Sequence, residues 1–175
     1  VGIPLAIVVL VGVWWVKRNG ASAAGQREAA NVAAMQRTQV SGTQVEQWVA
    51  QIKTRDAAFE LLPFLDRARD IFMRAQDAWF KRDLSPLRPF ISDANFQRLG
   101  VQQFLMAQQG VRDAISDVEV LDLRLIGYVA APHFDTAHVL IRARMRDADA
   151  PANASDAQAL AFARQKQPET FLEVW

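Results

Sequence analysis

The chain has 175 residues, with 20 Lys and Arg against 19 Asp and Glu, two His and no Cys. That length accommodates one ordinary domain, which can bury enough surface to fold without a metal or disulfide staple. The lack of cysteine excludes a disulfide scaffold, a thiolate metal site and a cysteine nucleophile. The net charge of +1 argues against a dedicated DNA or RNA binder. The even balance hides a split. Residues 1–41 hold four basic side chains against one acidic, +3, while residues 42–175 hold 16 against 18, −2.

Residues 1–18 read as a transmembrane helix. Val1–Val16 carries no charge; Trp14 and Trp15 suit the headgroup interface, and Lys17-Arg18 is a stop-transfer pair. Sixteen helical residues reach about 24 Å, short of the roughly 30 Å hydrocarbon core. The span is therefore expected to start before Val1. The bulky Trp pair and the lack of an A-x-A site count against a secretory signal. Basic residues after the span place the rest of the chain on the cytoplasmic side of an inner membrane, or on the matrix side of a mitochondrial one. Residues 19–44, rich in Ala, Gln, Ser and Gly, are expected to be a linker or stalk.

The domain is expected over 45–175. Thr43 and Glu46 have capping-box spacing, followed by a short amphipathic helix with Val45, Trp48, Val49 and Ile52 on one face. Trp48 either packs on its own domain or touches the lipid surface. Pro63 suits the first turn of a second helix, which runs to Arg82 with Leu65, Ala68, Phe72, Ala75 and Trp79 as its stripe. Asp83–Pro89 is a turn. Ser92 caps a third helix that Gly110 ends.

After Gly110 the apolar period falls to two. Val118 and Val120 alternate in one phase and Leu121, Leu123 and Leu125 in the other, which predicts a β-bulge near Val120–Leu121. Ala137, Val139, Ile141, Ala143 and Met145 form the buried face of a second strand, opposite Arg142, Arg144 and Arg146. Residues 147–169 read as a polar excursion with a short helix at Asp156–Arg164, and Thr170–Trp175 as a final strand. Helices followed by antiparallel strands predict an α+β fold, with helices on the inner face of a bent sheet.

Asp56-x-x-Phe59, Phe64-Leu65, Ala68, Phe72, Ala75-Gln76-x-Ala78-Trp79, Arg82-Asp83-Leu84-x-x-Leu87-Arg88 and Phe171-x-Glu173-x-Trp175 succeed one another in this order. In this respect the chain resembles the C-terminal domain of subunit 44 of the mitochondrial inner-membrane translocase, and its membrane-anchored bacterial relatives. The resemblance covers about Asp56–Trp175. It implies a fold similar to nuclear transport factor 2, with helices on a curved antiparallel sheet that encloses a pocket. It implies a non-catalytic scaffold or accessory subunit, with the lipid bilayer and other membrane-complex subunits as partners. The family continues beyond the Trp strand, so the domain is expected to be incomplete at its C-terminus, and its chaperone-binding N-terminal region has no counterpart here.

Candidate sites are sparse. His133 and His138, an odd number of residues apart, fall on opposite faces of a strand and make a poor metal pair, so neither a metal nor a cofactor is expected. No phosphate-binding loop, nucleophile elbow or dinucleotide fingerprint occurs. The main alternative is a small-ligand binder or a pocket enzyme of isomerase or dehydratase type. Such chemistry needs a carboxylate aimed into an apolar interior, for which Asp117, Asp122 and Tyr128 are the candidates. Arg142, Arg144 and Arg146 either form a solvated ladder paired to acids on a neighbouring strand or contact an anionic partner. A membrane-tethered ribosome contact is a further alternative, weakened by the −2 charge of residues 42–175.

Overall fold

The computed structural model describes residues 40–175. In chain order these form α1 (Gly42–Arg55), α2 (Leu61–Lys81), a 3-10 turn (Ser85–Leu87), α3 (Asp93–Gln108), β1 (Val111–Val129), β2 (Thr136–Pro151), α4 (Asp156–Arg164) and β3 (Glu169–Val174). The fold is α+β, with four helices packed on one antiparallel sheet of order β1-β2-β3. Among the described residues no helix is long and apolar enough to cross a membrane. The expected span over residues 1–18, with Trp14, Trp15, Lys17 and Arg18, lies outside the described residues, as does most of the stalk.

Helix α1 begins at Gly42, inside the stretch read as stalk. Its cap is Ser41, whose hydroxyl accepts the Gln44 amide, so the Thr43–Glu46 capping box is corrected to a cap two residues earlier. Helix α2 starts at Leu61 and takes Pro63 in its first turn, where a missing N–H costs nothing. Its buried face is Ala68, Ile71, Phe72 and Ala78, and Asp70–Arg74 and Asp77–Lys81 brace the outer face at helical spacing. Arg82, in the left-handed conformation, closes it. In the next turn, Asp83 Oδ1 accepts from both the amide and the hydroxyl of Ser85, and Leu87 is buried beside Leu84 and Leu99. Ser92 caps α3 as expected, and Gly110 supplies the positive φ that ends it.

Strand β1 begins at Val111, well before Val118. Its register against β2 shifts between Val120 and Asp122, at the expected bulge, and twice more, at Ser116/Glu119 and Leu125/Gly127. Asp117 sits in the first shift at φ 54°, a conformation that Asp tolerates better than most residues. The main core joins Ile71 and Phe72 of α2 to Val139, Ile141, Ala143 and Trp175. The expected inner face of β2 is thus found.

The expected polar excursion over 147–169 is corrected. Strand β2 continues to Pro151, and Ala148, Ala150, Ala154, Ala159 and Ala163 form a second core with Ala114 of β1. Alanines read as surface in a composition count, yet here they let α4 approach the sheet closely. The buried parity of β2 also changes, from Ala143 and Met145 to Ala148 and Ala150. Because β2 is regular across this stretch, alternation puts Ala148 and Ala150 on the same side as Arg144 and Arg146. Helix α4 packs on this side of the hairpin, and Phe80 from the end of α2 reaches the same alanine core.

Candidate functional site

Two surfaces and two buried groups make up the functional candidates. The first is the arginine face of β2. Arg144 lies opposite Glu119 in the β1 register and pairs with it. Arg146 Nε meets Asp117 Oδ2 at 2.8 Å, and its NH1 donates to the carbonyl of Lys166, just past α4. Two of the three charges are thus neutralised within the sheet, as the ladder reading expects. Arg142 faces Asp122 across the register, but Asp122 pairs with Arg124 at 3.2 Å. No ion-pair partner of Arg142 occurs among the described residues.

The acids considered for catalysis are held elsewhere. Asp117 and Asp122 are the surface partners just named. Tyr128 Oη donates to Asp135 at 2.7 Å. Burial, helped by that carboxylate, pushes the phenol up to about 12. Asp135 also pairs with Arg55 at 2.9 Å, so the three side chains tie α1 to the β1–β2 turn. His138 packs across from Gly127, where a Cβ would stand 3.1 Å from the imidazole. Among the described residues no group of three or more His, Asp or Glu is arranged to hold a metal. Trp48 is half-buried against Ile52, Phe59, Leu125 and Tyr128, on its own domain.

A carboxylate in a strongly perturbed environment is Glu173, which was not among the candidates. Phe171, Glu173 and Trp175 share one side of β3 by alternation. Phe72 of α2 reaches both aromatic neighbours, with ring centroids 6.4 Å from Phe171 and 5.5 Å from Trp175. Glu173 is therefore set between two rings and under a third. Its Oε2 accepts from Trp175 Nε1 at 2.8 Å. Burial pushes its pKa up to about 7, against the smaller lowering by that hydrogen bond. The group can carry or release a proton near neutrality inside an apolar layer. The signal was present in the sequence: a lone acid at the buried parity of a Phe-x-Glu-x-Trp strand.

Arg112 was also missed, because β1 was expected to begin later. It is 2% exposed and pairs with Asp156 at 2.8 Å, while NH1 also donates to the Ala154 carbonyl and NH2 to that of Phe80. Its neighbour Asp113 accepts from Trp79 Nε1 at 2.8 Å. Adjacent residues of a strand point to opposite faces, so the end of α2 is gripped from both sides of β1.

The remaining surface is on α3. Val101, Phe104 and Leu105 are exposed, Phe104 at 61%, and lie at spacings of three and four on one helix face. Gln97 and Gln108 are exposed on the same face by the same spacing. From Ala94 to Gln109 the only charged residue is Arg98. An apolar centre with an amide rim that carries one charge, Arg98, has the composition of a protein-docking patch.

Among curated proteins no relative matches the chain. A family model described as the Tim44-like domain matches residues 45–175. That range takes in α2, the bulged sheet and the Phe171-x-Glu173-x-Trp175 strand, and on this ground the chain belongs to the Tim44-like domain family.

Proposed function

We propose that the protein is a membrane-anchored, non-catalytic accessory subunit whose Tim44-like domain docks other subunits of a membrane complex at the inner membrane, on its cytoplasmic side. The observation that carries the reading is the α3 patch of Val101, Phe104 and Leu105. Its helix is anchored from beneath by Leu99 and Met106, so the three side chains are presented on a fixed scaffold. The uncharged run Val1–Val16, with Trp14, Trp15, Lys17 and Arg18 at its end, supplies the anchor. An anchor raises the effective concentration of the domain at the bilayer, so a modest docking surface suffices. The partner is a membrane-complex subunit with an apolar face.

Gentle detergent extraction followed by native mass tests this. The expected result is a complex heavier than the chain, lost in the Phe104→Asp, Leu105→Asp variant while the circular dichroism spectrum is kept. A lone monomer, or a complex indifferent to that variant, counts against the reading.

Glu173 favours a second reading, a small-ligand or proton-transfer site between α2 and β3. A buried acid near neutrality is the group such chemistry uses. Ligand-detected NMR with Glu173→Gln and the parent chain separates the two readings. A compound that binds the parent and not the variant supports the second.

A further inference from the structure

We propose that the tip of the β1–β2 hairpin, residues 129–134, is a lipid-facing wedge that sits in the headgroup–acyl boundary of a bilayer. The inference rests on the membrane attachment proposed above and adds a second contact to it. From Leu125 to Phe134 the sequence reads LIGYVAAPHF, with His133 its only titratable group besides Tyr128. Hairpin turns built for water use Asn, Asp and Gly; this one uses Ala, Ala, Pro and His. Val129 is 56% exposed and Phe134 59%, with Ala130, Pro132 and His133 exposed between them. Single exposed apolar residues are ordinary, but an uncharged turn bounded by two of them is a contiguous patch.

The base of the tip is arranged for leaving water. Arg55 NH1 donates to the Ala131 carbonyl at 2.9 Å and pairs with Asp135 at 2.9 Å. Tyr128 Oη donates to the same carboxylate at 2.7 Å. The nearest charges are thus neutralised before the tip is buried, and no lone ion is stranded in an apolar medium. The same contacts fix the tip to α1, so Val129 and Phe134 are held in place before contact, which lowers the entropy lost on docking.

The bilayer, rather than a protein, is the occupant for two reasons. The element that grips the tip, α1, is the first of the domain, and the 39 residues before Val40 begin with the uncharged run Val1–Val16. The 23 residues from Lys17 to Gln39 reach at most about 80 Å, so an anchored domain stays within range of the lipid surface. The rim also differs from that of the α3 patch. Around Phe104 there are glutamine amides able to satisfy a protein partner; around Phe134 there are small apolar side chains, one imidazole and the already paired Arg55–Asp135. The latter set suits an interface without fixed hydrogen-bonding partners.

The chain has no native cysteine, so one introduced thiol gives a clean probe. The full chain carrying Ala130→Cys is labelled with an environment-sensitive fluorophore and reconstituted into phosphatidylcholine–phosphatidylglycerol vesicles, with and without nitroxide-bearing lipid. The expected result is blue-shifted emission that the nitroxide lipid quenches. The same label at the exposed Gln167→Cys stays water-like and unquenched. Adding Val129→Asp and Phe134→Asp, or the milder Val129→Ser and Phe134→Ser, abolishes the quenching while the chain still floats with the vesicles. Water-like emission at position 130 in a floating chain overturns the wedge and leaves the anchor standing. Shielded emission without lipid quenching also overturns it, because a second copy of the chain then covers the tip. Equal quenching at position 167 does the same. A chain that does not float removes the attachment and the wedge together.

Discussion

Glu173 and Arg112 are both charged groups taken out of water, and they are handled in opposite ways. Arg112 keeps its charge, because Asp156 and two backbone carbonyls surround it and the Phe80 ring lies 5.2 Å from the guanidinium. Removing it leaves those acceptors without a donor, so Arg112→Ala should cost about 3 kcal/mol or more, read as a lower urea midpoint for the chain in mild detergent. Arg112→Lys should not restore it, since one ammonium cannot span Phe80, Ala154 and Asp156 together. Glu173 has only the indole N–H, and burial raises its pKa from 4.5 to about 7. The raised value means that the folded state binds the proton more tightly than the unfolded one. Stability from this group is fully present below about pH 4.5 and is lost as pH rises through about 7. That difference corresponds to about 3 kcal/mol. Glu173→Gln keeps an acceptor for Trp175 and has no proton to lose. Its unfolding midpoint should therefore exceed the parent's at about pH 8, match it near pH 5, and show no slope between. A parent chain equally stable at both pH values would show that the carboxyl is not buried as described.

Helix α4 shows how much small side chains carry at the scale of an element. Ala159 and Ala163 are both fully buried, against Ala114, Ala148 and Ala150. No methylene fits between surfaces that close, so Ala159→Leu should destabilise by roughly 1–3 kcal/mol through overpacking, whereas a substitution at the exposed Ala157 should be neutral. Thermal unfolding of both variants checks this. The alanines also explain why this part of the fold was hard to read. Helices α1 to α3 carry large apolar residues at the helical period, bounded by Ser92, Gly110 and Pro63, and their positions were legible to within a few residues. The bulge at Val120–Leu121 was legible because it reversed a two-residue alternation. The extension of β2 to Pro151 was not, because Asp-Ala-Asp-Ala alternates with a side chain too small to stand out from a linker. The paired arginines were legible as a face, since their alternation is strict. Their acids were not, because two register shifts decide which β1 residue stands opposite. The parity of Glu173 with Phe171 and Trp175 was legible, but the depth of its burial was not, since that depends on Phe72 arriving from a distant helix.

Over the whole molecule, the sheet pairs decide which arginines are available to a partner. Residues 42–175 carry −2, and Arg144 and Arg146 are matched by Glu119 and Asp117 on the same face. Arg142 alone of the three has no ion-pair partner among the described residues. The two apolar surfaces, Val101-Phe104-Leu105 on α3 and Val129 with Phe134 at the hairpin tip, lie on separate elements, and each is apolar at its centre. A complex held through the α3 patch should therefore resist salt. In about 0.5 M salt, where screening leaves only contacts closer than a few ångströms, the native complex should keep its mass, and Phe104→Asp should disrupt it at every salt concentration. A complex held through the arginine face behaves in the opposite manner: it dissociates as salt rises, and the neutral Arg142→Gln weakens it at low salt with no ion pair broken and no second carboxylate placed opposite Asp122. Reversing Arg144 or Arg146 is less informative, since either change also places two like charges together in the sheet. The salt series with Phe104→Asp and Arg142→Gln thus assigns the docking face, and dissociation in salt with Phe104→Asp inert moves it from α3 to β2.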